Sequence, residues 1–337
     1  MHHNTIYNID NREGLAKLEQ KCANLIIADP PYFECKGEFD FVWKSFDEYL
    51  AFMEEQAKLY KRVLADNGTL FVYGHAKRIA YVQVIFDKYF KLENNITWKK
   101  IDSLMYEKGS SGFRCFLPNN ERLLMYSNEV KMTGLEMLMK NNIKPIHPMG
   151  RYLQSEFDRA QVSNRDLAKL FPSRNGNLTG CVSNWINGDN FIAKDQYEKI
   201  RDFLGDGFLR QEYETLRRPF NNIMRLSDVM EFSQEAHITG KYDHETQKPE
   251  KLTRALIVTC SHENDLVVVP FIGSGTECAM AVRENRRFVG FETNPKHCET
   301  ARARVKKELM ARQQEGLFAE NKNGKAKIVL KQAALEI

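Results

Sequence analysis

The segment Leu25-Ile26-Ile27-Ala28-Asp29-Pro30-Pro31-Tyr32 sets the tightest limit on what this chain can fold into. Leu25 to Ala28 form an unbroken apolar run, the pattern of a short strand covered on both faces. The run stops at an acid followed by two prolines. Each proline fixes a φ angle and removes a backbone donor. A plain connecting loop favours Gly, Asn or Ser. This one is built to hold a carboxylate, an unshared carbonyl and an aromatic ring in fixed relation.

The rest of the chain supplies matching elements. Ser45-Phe46-Asp47-Glu48 has the form of a capping box. A helix is expected from there to about Ala65, ended by Asp66-Asn67-Gly68. Thr69–Tyr73 reads as a buried strand, Lys77–Tyr89 as a helix and Asn95–Lys99 as a strand. Strands alternating with helices imply a parallel sheet. The pattern breaks near Met132, and residues 133–218 show several short helical patterns without buried strands. It resumes with a strand at Leu266–Val269, a glycine-rich turn, a helix to about Glu284, a strand at Arg287–Phe291 and a long helix from about Pro295. The expected architecture is α/β, a doubly wound, mostly parallel sheet assembled from residues 1–132 and 219–320. A helical domain at 133–218 is inserted between them. A tail at 321–337 follows, loosely ordered around Asn321 to Lys325.

Composition narrows the class. With 42% hydrophobic and 28% charged residues in 337, the chain is that of an ordinary globular protein. No apolar run approaches the roughly 20 residues of a membrane span, and the N-terminus lacks a signal core. A cytoplasmic protein without membrane association is expected. Cys22, Cys35, Cys115, Cys181, Cys260, Cys278 and Cys298 are odd in number and form no CxxC pair, so reduced thiols and no metal site are expected. Net charge is +4. Residues 281–312 carry nine Lys/Arg against four Glu, either a solvated helix face or a phosphate-facing patch.

A second motif, Pro270-Phe271-Ile272-Gly273-Ser274-Gly275-Thr276, follows a strand and opens a helix. Its glycines permit close approach of a ligand to the backbone, and the helix start offers N–H groups. Glu292 ends the next strand, where nucleoside-binding α/β folds grip a ribose diol. No Walker lysine follows the glycines, so an adenosine ligand without phosphates fits better than a nucleotide. A third segment, His244-Glu245-Thr246-Gln247-Lys248-Pro249, leads into a helix near Glu250.

These three motifs together resemble the amino-group DNA methyltransferases that use S-adenosylmethionine. Their order, DPPY before TQKP before FxGSGT, is that of the family's β group. The resemblance covers about 1–132 and 219–310. It implies a Rossmann-like core with permuted motif order, duplex DNA as substrate, and adenine N6 rather than cytosine N4 as target, because Asp29 stands where a serine accompanies cytosine. It also implies a homodimer, and either a cognate restriction endonuclease as partner or a solitary epigenetic enzyme. Asp29, Pro30, Pro31 and Tyr32 become the catalytic residues. The Asp29 carboxylate and the Pro30 carbonyl would each accept one amino hydrogen and direct the nitrogen lone pair at the sulfonium methyl, while Pro31 keeps the turn rigid. Tyr32 would stack on a flipped base, and transfer would be direct and in line.

For the cofactor, the resemblance implies Asp10, Thr246, Lys248, Pro270, Phe271, Gly273, Ser274, Gly275, Thr276 and Glu292. For DNA, it points to the segments holding Trp98, Lys99 and Lys100, Phe113 and Arg114, and Asn120 and Glu121. One departure stands out. The family's loop has an acid before its proline, and here Val269 occupies that place, with Asp265 as a substitute. Within 133–218, Ser163–Leu170 and Thr179–Gly188 have the form of a helix-turn-helix with a long link from Pro172 to Thr179, followed by a helix at 195–204; a purely structural helical subdomain is the other reading. Val182, Trp185 and Ile186 would face inward, leaving Ser183, Asn184 and Asn187 to meet base edges. A DNA-binding regulator with an inactive core is the alternative from another class.

Overall fold

Short, largely unbroken apolar runs give way repeatedly to runs of helical period, and the backbone follows them. The computed structural model describes residues 1–35, 40, 42–101, 114, 116, 118–128, 148–234 and 247–323, with side chains as far as 312. Among these residues the strands are β1 (Thr5–Tyr7), β2 (Ala23–Ala28), β3 (Leu64–Gly74), β4 (Lys91–Lys100), β5 (Asn120–Ser127), β6 (Val229–Phe232), β7 (Leu266–Val269) and β8 (Arg287–Phe291). They form one sheet in the order β1-β8-β7-β2-β3-β5-β4-β6. Only β5 runs antiparallel to its neighbours, β3 and β4. The helices are α1 (Asn11–Lys17), α2 (Phe46–Val63), α3 (Ile79–Phe86), α4 (Pro148–Arg159), α5 (Asn164–Ala168), α6 (Cys181–Asn187), α7 (Lys194–Leu204), α8 (Tyr213–Leu216), α9 (Glu250–Cys260), α10 (Thr276–Arg283) and α11 (Pro295–Asn323). No helix among the described residues is long and apolar enough to cross a membrane.

The sheet is doubly wound. Ile26 and Ala28 of β2 pack with Tyr49, Met53, Ala57 and Tyr60 of α2. Leu25 and Ile27 face the opposite side, with Leu252 and Leu256 of α9, Cys278 of α10 and Ala301 of α11. Burying each of the isoleucines, leucines and the methionine among them stabilises the fold by roughly 1.5–3 kcal/mol. β2 and β7 are neighbours, yet β2 leads through α2 to β3 on one side and β7 leads through α10 to β8 on the other. That switch point opens a crevice at the carboxyl ends of the strands.

Helices α4 to α8 enclose a separate apolar core that includes Leu153, Phe157, Val182, Trp185, Tyr197 and Ile200. Gly150 lets α4 cross α6 closely, since a Cβ there would collide with the Ile186 carbonyl.

Several boundaries differ from the sequence expectation. α2 ends at Val63, and Asp66-Asn67-Gly68 is not its stop but a bulge inside β3. Pairing jumps from Ala23↔Leu64 to Leu25↔Thr69, leaving residues 65–68 outside the ladder. Ser45 caps α2 as expected, accepting the Glu48 N–H, but the Glu48 carboxylate reaches back to the Lys44 N–H rather than to Ser45. The helix expected at 77–89 is the shorter α3. Strands β1, β5 and β6 were not expected. The tail expected to be loose from Asn321 is helical through Asn323.

Candidate active site

A cavity of about 980 Å³ lies at the switch point, large enough for a cofactor and part of a substrate. Its walls come from the loops after β2, β7 and β8 and from the start of β5.

On one side sits the turn after β2. The Asp29 side chain is held twice. Its Oδ2 receives Lys248 Nζ at 2.8 Å and its Oδ1 the Tyr32 hydroxyl at 2.8 Å. Pro30 is buried beside it, and its carbonyl accepts no hydrogen bond among the described residues. Lys248, only 4% exposed, also pairs with Glu121 of β5 at 3.2 Å. Its ammonium lies 4.9 Å from the Tyr73 ring centre and 5.5 Å from that of Tyr32. Lys100 of β4 adds a second cation on Glu121, at 2.7 Å.

These charges set one another's protonation. Burial raises the Asp29 carboxyl above its ordinary value, Lys248 opposes the rise and Glu121 adds to it. Burial also pushes Glu121 up, but Lys248 and Lys100 outweigh it and hold the carboxyl at about 2. Lys248 would lose its proton more readily through burial alone, yet the two carboxylates raise its pKa well above the usual lysine value.

On the other side is the glycine loop after β7. Gly273 and Gly275 have φ of +51° and +83°, backbone that side chains rarely adopt. A Cβ on Gly275 would stand 2.5 Å from Ala301 Cβ, so the loop lies directly against α11. Glu292, at the tip of β8, accepts the Gly273 N–H at 3.0 Å and the Asn294 N–H at 2.8 Å. Pro270, Phe271, Gly273 and Ser274 face the cavity, whereas Thr276 is buried beneath it. Asp10 reaches the rim, where it caps α1 and grips Arg12 at 2.9 Å.

The structure therefore gathers most of the sequence-derived candidates round one cavity. Thr246, like His244, lies outside the described residues. Lys248 meets Asp29 and Glu121 directly, a contact the motif alone did not indicate. Asp265 cannot replace the acid missing at Val269. It stands at the opposite, amino end of β7, where it accepts the His262 N–H at 2.7 Å.

Lys99 is exposed and pairs with Glu231 at 2.7 Å, and Arg114 is exposed. Ser183 and Asn187 are exposed on α6. Asn184 is half-buried, because the following turn folds back so that Asp189 N–H donates to its carbonyl.

Two residues escaped sequence reading. Arg304 belongs to the basic stretch but is 2% exposed. Its guanidinium donates to the Ser274 carbonyl, Ser274 Oγ and Thr276 Oγ1 at 2.8–3.1 Å and to Glu250 at 2.7 Å. Arg286, Arg302 and Arg312 likewise donate to main-chain carbonyls. Much of the basic stretch thus ties elements together instead of forming a solvated face or a phosphate patch. The second residue is Glu277 of α10, buried and lining the cavity. Burial, with Asp29 adding, pushes its carboxyl up to about 7. In the sequence it is the lone acid of its helix and is followed by five apolar residues, Cys278 to Val282, a signal that was available.

A sheet of this winding, with its acids and glycines at the switch point, has the layout of an α/β nucleoside-binding fold. The family model for DNA methylases of the N6/N4 type matches residues 23–303, and the chain belongs to that family. It is 25% identical over 315 residues to the type II methyltransferase M2.DpnII of Streptococcus pneumoniae, covering 89% of this chain and 88% of the relative. It is 23% identical over 306 residues to the DNA adenine methyltransferase YhdJ of Escherichia coli, covering 89% and 82%. Among solved structures, the cytosine-N4-specific PvuII DNA methyltransferase superposes with a TM-score of 0.53 at 15% identity, covering 90% of this chain and 86% of that one, a likeness of fold. The protein is a site-specific amino-group DNA methyltransferase, and its methyl donor is S-adenosylmethionine. The cavity suits that donor, with a close-approach glycine loop, an acid at the tip of β8 and one buried carboxylate oxygen lacking a partner.

Proposed function

We propose that this chain methylates adenine N6 in duplex DNA, acting on a base flipped out of the helix. The observation that carries the reading is that the Asp29 turn and the glycine loop open on one cavity. S-adenosylmethionine, when bound, would supply an electrophilic methyl whose transfer leaves a neutral thioether, and the methylated nitrogen would shed one proton to the Asp29 carboxylate that accepts its hydrogen. Asp29 and the Pro30 carbonyl accept the two amino hydrogens and so concentrate the lone pair that adenine N6 otherwise gives to its ring. The Tyr32 hydroxyl holds one Asp29 oxygen and must yield it to the incoming amine, which turns the ring toward the base. Lys248 keeps the other oxygen and fixes the carboxylate as an anion. Gly273, Ser274 and Glu292 hold the donor, with Asp10, Pro270 and Phe271 bordering it and Thr246 and Gly275 supporting it.

An acid at position 29 favours adenine over cytosine, and the adenine methyltransferase from Escherichia coli is in accord. The α4–α8 region, with Ser183, Asn184 and Asn187, supplies target recognition, and Lys99 and Arg114 meet the backbone. A cognate restriction endonuclease and a homodimeric state, both implied by the resemblance, extend this reading. Transfer of labelled methyl to duplex DNA followed by nucleoside analysis tests it. N6-methyladenine is expected, and Asp29→Ala should abolish it while sparing donor binding. N4-methylcytosine would overturn the base assignment, and donor binding without any transfer would leave a DNA-binding regulator.

A further inference from the structure

Six carboxylates line the cavity, those of Asp10, Asp29, Asp40, Glu121, Glu277 and Glu292. Five of them have partners. Asp10 holds Arg12, Asp29 and Glu121 share Lys248, Asp40 takes the Tyr32 N–H, and Glu292 takes two loop N–H groups. Glu277 differs. It is 4% exposed, and its Oε1 has no hydrogen-bond partner among the described residues. A buried carboxylate in this condition is costly unless it is neutral or meets a cation.

Its place in the cavity says which cation. Glu277 lies in the first turn of α10, immediately after the glycine loop. It interacts with Asp29 and Tyr73, from the ends of β2 and β3, and with the cations Lys248 and Arg304, which only partly offset its burial, whereas Glu292 stands at the tip of β8 on the far side of β7. A donor whose ribose is held by Glu292 therefore extends its amino acid end toward Glu277. S-adenosylmethionine carries two cations, but its sulfonium has no N–H or O–H to give. Its α-ammonium has three.

We propose that Glu277 binds the α-ammonium of S-adenosylmethionine, beside the loop in which Val269 stands where the family has an acid. The assignment rests on that donor occupying this cavity. In the unliganded chain the carboxyl titrates near neutrality, so ammonium binding displaces a proton.

Calorimetry on the full chain tests this. Between pH 6 and 7.5, below the ligand's own amine titration, the affinity for S-adenosylmethionine should rise roughly eightfold, as expected for release of a proton held at about 7. Heats in phosphate and Tris should differ by that released proton. Glu277→Gln should remove the pH dependence and weaken binding on the order of tenfold or more. 5′-Methylthioadenosine, which lacks the amino acid portion, should bind wild type and variant within about twofold of each other, since the lost contact is absent from it. Affinity flat with pH in the wild type, with no proton release, would overturn the assignment without recourse to any variant. Equal binding of S-adenosylmethionine by wild type and Glu277→Gln would do the same. Failure of the wild type to bind either ligand would instead remove the cofactor reading, and this assignment with it.

Discussion

Glu277 also leaves a mark on the stability of the unliganded protein. Its carboxyl rises from 4.5 to about 7 on folding, because burial removes the charged form from water and Asp29 repels it. The folded chain thus holds this proton more tightly than the unfolded one. The associated cost is absent at acid pH. It grows as pH climbs above 4.5, where the unfolded group ionises, and reaches its full size above 7. The displacement corresponds to about 3 kcal/mol at the plateau. Between pH 5 and pH 9 the change is roughly 2.5 kcal/mol. Glu277→Gln has no such titration. Urea melts of both proteins at pH 5, 7 and 9 give the difference in unfolding free energy, and the titrations they share cancel. The variant should gain about 2.5 kcal/mol on wild type from pH 5 to pH 9, most of it before pH 8. Saturating S-adenosylmethionine should flatten the wild-type trend, since an ammonium then replaces the proton. A difference constant with pH to within about 0.5 kcal/mol would show that the buried acid is solvated or paired, and the reasoning would fail.

Other expectations are open to direct measurement. Asp29→Asn should lower kcat by roughly a hundredfold or more, by removing a fixed acceptor where charge develops. Because burial holds the Asp29 carboxyl above its usual 3.8, the acid limb of the wild-type rate profile should fall above that pH. A limb at or below 3.8 would contradict the burial. Arg304→Lys keeps the charge but loses the fork that clamps Ser274, Thr276 and Glu250, so donor affinity should drop on the order of tenfold in a binding titration. Gly275→Ala forces a side chain into φ +83° and against Ala301, and thermal melts should register a loss of about 1–3 kcal/mol. Asn184→Ala should reduce discrimination between cognate and scrambled duplexes by about 1–3 kcal/mol with donor binding unchanged. Equal kcat/KM on both duplexes, for wild type and variant alike, would exclude that role.

The elements legible in the sequence are those whose pattern is local. β7 is a uniform apolar run and β8 is nearly so after Arg287, each next to an acid, and both appear at the bounds read from the chain. β5 was hidden because its first residues, Asn120, Glu121 and Arg122, are polar for the sake of the site. Glu121 answers Lys100 and Lys248, and Arg122 bonds Thr97. A strand that carries charge at its catalytic end does not look like a strand. The same logic hid the roles of Lys248, Arg304 and Glu277. Lys248 lies 219 positions from Asp29 in the chain and 2.8 Å from it in space. Arg304 reads as one more surface cation until its neighbours Ala301 and Val305 are recognised as the apolar stripe of α11, which carries it inward. Glu277 reads as an ordinary first-turn acid, favoured by the helix dipole. Yet Cys278, Ala279, Met280, Ala281 and Val282 leave α10 no wet face, so the acid is buried by its own helix. A charged residue in a segment without a polar face must find a partner in the fold or take one from a ligand. That rule separates Arg304, which the protein satisfies by itself, from Glu277, which it does not.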